Sequence, residues 1–166
     1  MTTNDNLAAA FAGESQANRK YLAFGKQAEK DGFAQVAKLF RAAAAAETVH
    51  ALSHLRAMGG IKTTAENLAE AVEGERYEHE EMYPGFVAEA EAEEHKRGLI
   101  SMRNAMAVEK IHHDLYAAAL AAVKDGIDIA EAKVWVCDVC GNTFVGEHPD
   151  VCPICGVPHS KFSEVE

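Results

Sequence analysis

Over most of the first 125 positions apolar residues recur at steps of three and four, the spacing of helices that bury one face. One stripe runs through Leu7, Phe11, Glu14, Ala17 and Tyr21, and a second through Val36, Phe40, Ala43, Glu47, His50 and His54. A third takes in Leu68, Val72, Glu75, Glu78 and Met82, and a fourth Met102, Ala105, Glu109, His112, Tyr116, Leu120 and Val123. Asp31-Gly32, Gly59-Gly60 and Gly98 interrupt the pattern, which predicts four helices near 5–30, 33–58, 65–97 and 99–125. Thr63 followed by Glu66 forms a capping box for the third, Gly126 stops the fourth, and Pro84 should kink or bulge the third. Beyond Gly126 the residues turn to Val, Cys, Gly and Pro around a strand-like Val134-Trp135-Val136. Two domains are expected, a helical one over 1–130 and a short-stranded module over 131–166.

The helical part repeats itself. Gly13-Glu14 falls on Gly74-Glu75, and Glu47-Thr48-Val49-His50 on Glu109-Lys110-Ile111-His112. Each half is thus a helical hairpin with a glutamate on its first helix and Glu-x-x-His on its second, and two such hairpins make a symmetric bundle.

In every stripe an acidic residue interrupts the apolar face near its middle. A single Glu or His in such a place is ordinary. Seven donors in register, five of them carboxylates that would repel one another in a partly apolar setting, require positive charge among them. Two divalent cations supply it, and carboxylate oxygens with two imidazoles suit iron or manganese better than a thiolate-preferring metal. The i, i+3 spacing within Glu47/His50, Glu75/Glu78 and Glu109/His112 aims both members of each pair at one point.

The four cysteines form two C-x-x-C knuckles, Cys137/Cys140 and Cys152/Cys155, each followed by Gly. Paired this way they are a four-thiolate metal site more than a disulfide framework, with zinc and iron both admitted by the spacing. None is left for the first 136 residues, which fits a reducing, cytoplasmic setting. A net charge of −10 opposes nucleic-acid binding. Residues are 48% hydrophobic, but no apolar run approaches the ~20 needed to cross a bilayer, and the start at Met1 has no basic, apolar leader pattern, so no membrane role is expected.

Four segments, Phe11 to Gln16, Glu47 to His50, Glu73 to Glu78 with Met82-Tyr83-Pro84, and Glu109 to His112, resemble the rubrerythrins, and the likeness extends over essentially the whole chain. Glu78 is the second carboxylate on the third helix that separates them from ferritins and bacterioferritins. The resemblance implies an all-α ferritin-like four-helix bundle. It also implies that Glu14, Glu47, His50, Glu75, Glu78, Glu109 and His112 hold two irons, one iron exchanging His50 for Glu78 between redox states. Tyr21 and Tyr83 match tyrosines that hydrogen-bond ligand carboxylates, or are simply packed aromatics. His54 is adjacent or merely buried, and the remaining histidines and the acidic run from Glu89 to Glu94 are local or solvated. Trp135, the Cys-Pro-Ile-Cys-Gly-Val-Pro run and Phe162 look like a rubredoxin domain, which favours iron over zinc at Cys137, Cys140, Cys152 and Cys155.

A four-thiolate iron carries one electron and has no open position, whereas a di-iron site holds two electrons and can bind a small oxidant. The implied function is reduction of hydrogen peroxide to water, with electrons from a rubredoxin or an NAD(P)H-dependent reductase. Rivals are a ferroxidase or iron-storage activity on Fe(II), and a zinc-bound electron carrier or scaffold. His112 lies thirteen residues before the expected helix end, roughly 20 Å at 1.5 Å per residue, so the module is expected beside a partner's bundle in a head-to-tail homodimer or higher oligomer.

Overall fold

A computed structural model describes residues 2–166; Met1, where the reading of the leader pattern began, lies outside them. The chain divides into two compact units meeting between residues 62 and 63.

The first unit is a hairpin of α1 (Thr3–Lys30) and α2 (Ala34–Ala57). Thr2 and Asp5 cap α1 reciprocally, and Gly32 turns the chain at φ 86°. The seam between the helices is made of small residues. Ala37, Ala44 and Ala51, seven apart on α2, are buried with Asn18, Gly25 and Ala28 of α1. A Cβ placed on Gly25 would sit 3.4 Å from the Ala37 carbonyl oxygen, so the backbones approach closely there. The Asn18 amide crosses the seam, donating to the Ala44 carbonyl at 2.7 Å and the Thr48 hydroxyl at 2.8 Å. With the seam filled by small side chains, larger apolar ones such as Phe24, Val36 and Leu39 are left exposed on the unit. The end of α2 folds back on itself: the amides of Met58, Gly59 and Gly60 donate to the carbonyls of His54, Arg56 and Leu55.

The second unit begins with α3 (Thr64–Tyr77), capped by the expected Thr63/Glu66 box. A π-helical turn, Glu78–Met82, follows, then α4 (Tyr83–Ala92) and α5 (Lys96–Lys124). The bulge expected at Pro84 is this π turn, in which the Tyr83 amide donates to the Glu78 carbonyl five residues back. Pro84 then occupies the first turn of α4, where its missing N–H costs nothing. The third helix therefore does not run unbroken over 65–97. Nor does Gly98 make the next break: the chain turns at Glu94, φ 54°, and His95 caps α5 by accepting the Gly98 amide at 3.0 Å. Strands β1 (Val134–Cys137), β2 (Thr143–Val145) and β3 (Phe162–Val165) form an antiparallel sheet in the order β2-β1-β3, with Trp135 opposite Phe144 and Glu164. Among the described residues no helix is long and apolar enough to cross a membrane.

Candidate metal centres

In the first unit, α1 supplies Glu14 and α2 supplies Glu47 and His50, with their donor atoms within 4.8 Å of one another. Asn18 explains the meeting. It lies one turn beyond Glu14, and its partners Ala44 and Thr48 flank Glu47, so its two hydrogen bonds fix the register that brings the carboxylates together. His50 Nδ1 and Glu47 Oε2 are 2.9 Å apart, close enough to share one cation or one proton. Tyr21, expected near these carboxylates, packs its ring between Phe24 and Phe40 at centroid distances of 6.4 and 6.1 Å.

The second unit repeats the arrangement. Glu75 of α3 joins Glu109 and His112 of α5 within 4.8 Å, and His112 Nδ1 is 2.9 Å from Glu109 Oε2 and 3.8 Å from Glu75 Oε1. Burial, then the Glu109 charge, pushes the Glu75 carboxyl above the usual glutamate range. Glu78 lies outside this trio, on the π turn; burial and the Glu75 charge raise it as well. Tyr83 lies close enough to this group that burial, and then the charges of Glu109, Glu78 and Glu75, push its hydroxyl up. Three neighbouring groups, Glu75, Glu78 and Tyr83, that resist becoming negative are the electrostatic signature of side chains arranged for a cation.

The cysteine module offers a closed tetrahedron. Cys137 and Cys155 sulfurs are 3.7 Å apart and those of Cys140 and Cys152 3.6 Å. Metal–sulfur bonds of ~2.3 Å give tetrahedral edges of about 3.8 Å, so the four thiolates fit one ion with little movement. Gly141 and Gly156 take positive φ of 83° and 76° after each knuckle. Burial opposes ionisation of Cys152, but the amides of Cys155 and Ile154 and the neighbouring thiols outweigh it and hold its pKa at about 6. Burial pushes Cys140 the other way. Asn142, itself buried, donates to the Cys152 sulfur at 3.8 Å.

The module packs on its own chain's α5. Gly141 lies over the buried Val108, and Thr143 Oγ1 is 2.9 Å from His112 Nε2. The separation of roughly 20 Å expected from helix length is thereby corrected: after Gly126, at φ 73°, residues 127–133 bring the sheet back to the level of His112. Thr143 was not readable as a site residue, since a hydroxyl three places after Cys140 carries no spacing signal. Its effect is specific. An Nε2–H donated to Thr143, whose hydroxyl reaches the Gly141 carbonyl at 3.3 Å, leaves Nδ1 as the lone-pair nitrogen facing Glu109 and Glu75.

Comparison with known proteins bears on the whole chain. Residues 5–120 match the rubrerythrin family model and residues 135–163 the model for the rubrerythrin rubredoxin-like domain. Rubrerythrin-2 of Clostridium acetobutylicum is 35% identical over 96% of this chain and 95% of that protein. Nigerythrin of Nitratidesulfovibrio vulgaris is 36% identical over 98% and 86%. Among solved structures, partially reduced nigerythrin superposes with a TM-score of 0.59 at 31% identity, covering 99% of this chain and 87% of that one. The repeated Glu/His hairpins, the second carboxylate on the π turn and the four-thiolate module thus find their place together: the chain belongs to the rubrerythrin family, joining a ferritin-like di-iron domain to a rubredoxin-like iron domain.

Proposed function

We propose that the chain is a peroxidase of the cytoplasm that reduces hydrogen peroxide to water. Residues 1–130 form its di-iron domain and residues 131–166 its electron-delivery domain. Glu14, Glu47, His50, Glu75, Glu78, Glu109 and His112 hold the two irons, and Cys137, Cys140, Cys152 and Cys155 hold the third. Bound there, a ferrous pair would supply the two electrons needed to split an O–O bond, and an iron on the four thiolates would supply single electrons to restore it. The overall change is H2O2 with two electrons and two protons giving two waters. A rubredoxin or an NAD(P)H-dependent reductase supplies the electrons.

The observation that carries this reading is the contact between the two kinds of site within one unit. Thr143, two residues past Gly141 in the cysteine module, meets His112 Nε2 at 2.9 Å. The protein's own groups have separable tasks. Glu47 and Glu109 each lie 2.9 Å from a histidine and would hold metal together with it. Glu78, carried by the π turn and close enough to feel the charge of Glu75, would be the carboxylate that exchanges at the metal. Tyr83 offers a hydroxyl proton at the same carboxylates.

The test is anaerobic: the fully iron-loaded, reduced protein is mixed with peroxide and both centres are followed in the visible spectrum. Rapid oxidation with two electrons removed per peroxide is expected. Peroxide decay no faster than with free ferrous ion, at verified metal content, would sink the proposal.

A further inference from the structure

Asn142 is bonded to three of the four cysteines in the module. Its carbonyl accepts the Cys137 amide at 2.9 Å. Burial raises the Cys140 pKa, and the Asn142 backbone N–H, bonded to that sulfur, lowers it. Its side-chain Nδ2 donates to the Cys152 sulfur at 3.8 Å. The residues on either side reach α5: Gly141 lies over Val108, and Thr143 meets His112.

A carboxamide is costly in this place. Asn142 is 1% exposed, and its Oδ1 has no hydrogen-bond partner among the described residues. A buried carbonyl oxygen without a donor lowers stability, because it has given up its bonds to water. Turning the amide over brings no relief, since a metal-bound thiolate only accepts hydrogen bonds and would repel Oδ1. Leucine has the same branching and would bury no orphan oxygen. What leucine lacks is the N–H at sulfur.

That N–H lies where charge changes. Four thiolates leave a net charge of minus one around ferric iron and minus two around ferrous iron, so each arriving electron adds negative charge at metal and sulfur. A donor held at one sulfur stabilises the more negative form by the larger amount. The amides of Cys155 and Ile154 also act on Cys152, but they belong to its own knuckle, whereas the carboxamide comes from the chain that follows the other one.

We propose that Asn142 is a positioning residue for electron delivery, its Nδ2–H at the Cys152 sulfur holding the reduction potential of the four-thiolate iron above the value that the cysteines alone would set. The inference rests on iron at these thiolates. The electron comes from the external donor and leaves for the di-iron site; no bond is made or broken, and the carboxamide keeps its protons. A higher potential eases entry of the electron and reduces the driving force for its onward transfer, so Asn142 divides the available free energy between the two steps.

The test uses the full iron-loaded chain, with the thiolate-iron absorption followed in a spectroelectrochemical titration. In Asn142→Leu, at parental iron content, the equilibrium constant for reduction by a given donor is expected to fall about tenfold, a potential lower by about 59 mV for one electron. The melting temperature is expected to equal or exceed the parent's, because the orphan oxygen leaves together with the donor. A residue serving stability alone would give the opposite pair, a lower melting temperature with an unmoved potential. An unmoved potential at parental iron content overturns the proposal, whatever the melting temperature. Asn142→Ala removes the same donor without adding bulk, so its potential should fall in the same direction, and it carries the test if the leucine does not fit. Loss of thiolate iron in both variants would make Asn142 a purely structural residue and overturn the proposal as well. A parent whose module shows no reversible one-electron couple would overturn the iron reading of the module, and this inference with it, while leaving the di-iron reading in place.

Discussion

His112 has two nitrogens in different company, and its neighbours give each a task. Nδ1 faces Glu109 and Glu75, while Nε2 meets Thr143. Thr143→Val removes the acceptor and should weaken iron binding by roughly tenfold, the scale of losses when a ligand histidine loses its partner. It should also slow re-reduction of the di-iron site while leaving the thiolate-iron spectrum unchanged, and Thr143→Ser should restore both. Stopped-flow spectra with metal titrations check the pair. Glu78 makes the complementary case. Glu78→Ala leaves six donors, so two irons should stay bound while peroxide reduction falls by at least about tenfold; parental turnover at equal iron content would rule out carboxylate exchange. The contrast between these residues shows what a sequence discloses. Glu78 could be singled out as a candidate because a carboxylate on an apolar stripe conflicts with its surroundings and can be counted against a repeat, though it lies outside the Glu75, Glu109 and His112 cluster. Thr143 was not, because its contact spans 31 positions and any hydroxyl could make it.

At the scale of elements, the helices themselves were legible and their interruptions less so. Periodicity locates α1, α2 and α5 to within a few residues, since a helix that buries one face must repeat its apolar positions. The break before α5 was placed at Gly98 because glycine is the usual punctuation, but Glu94 adopts the positive φ and His95 serves as cap. Of the two roles open to Tyr21, partner of a ligand carboxylate or packed aromatic, the ring contacts with Phe24 and Phe40 supply the packing. Asn18 carries the strongest prediction here. It is buried in a seam of alanines and glycine, bonded across it twice. Asn18→Ala should destabilise the protein by about 1–3 kcal/mol, the cost of leaving buried polar partners unmet, read by chemical denaturation. It should also loosen the register of Glu14 on Glu47, lowering iron affinity in a way that a stability loss on α2's far end would not.

For the molecule as a whole, metal and pH act on the same groups. Burial first, and then the charge of Glu109 on Glu75 and of Glu75 on Glu78, raise the pKa of both carboxyls in the metal-free fold above the 4.5 of a free glutamate. A raised carboxylate pKa means that the folded chain holds the proton more tightly than the unfolded one. The cost of keeping these groups charged is complete above the raised values and disappears as pH falls toward 4.5. The metal-free protein should therefore gain stability between neutral pH and about pH 5 from these two positions, and the gain should shrink in Glu75→Gln with Glu78→Gln. Thermal melts of the metal-free forms at the two pH values measure it. The return of the cysteine module onto α5 has a different consequence, one of assembly order: Thr143 meets His112 only once residues 127–133 have brought the sheet back, so stripping the thiolate metal should also cost the imidazole its Nε2 partner.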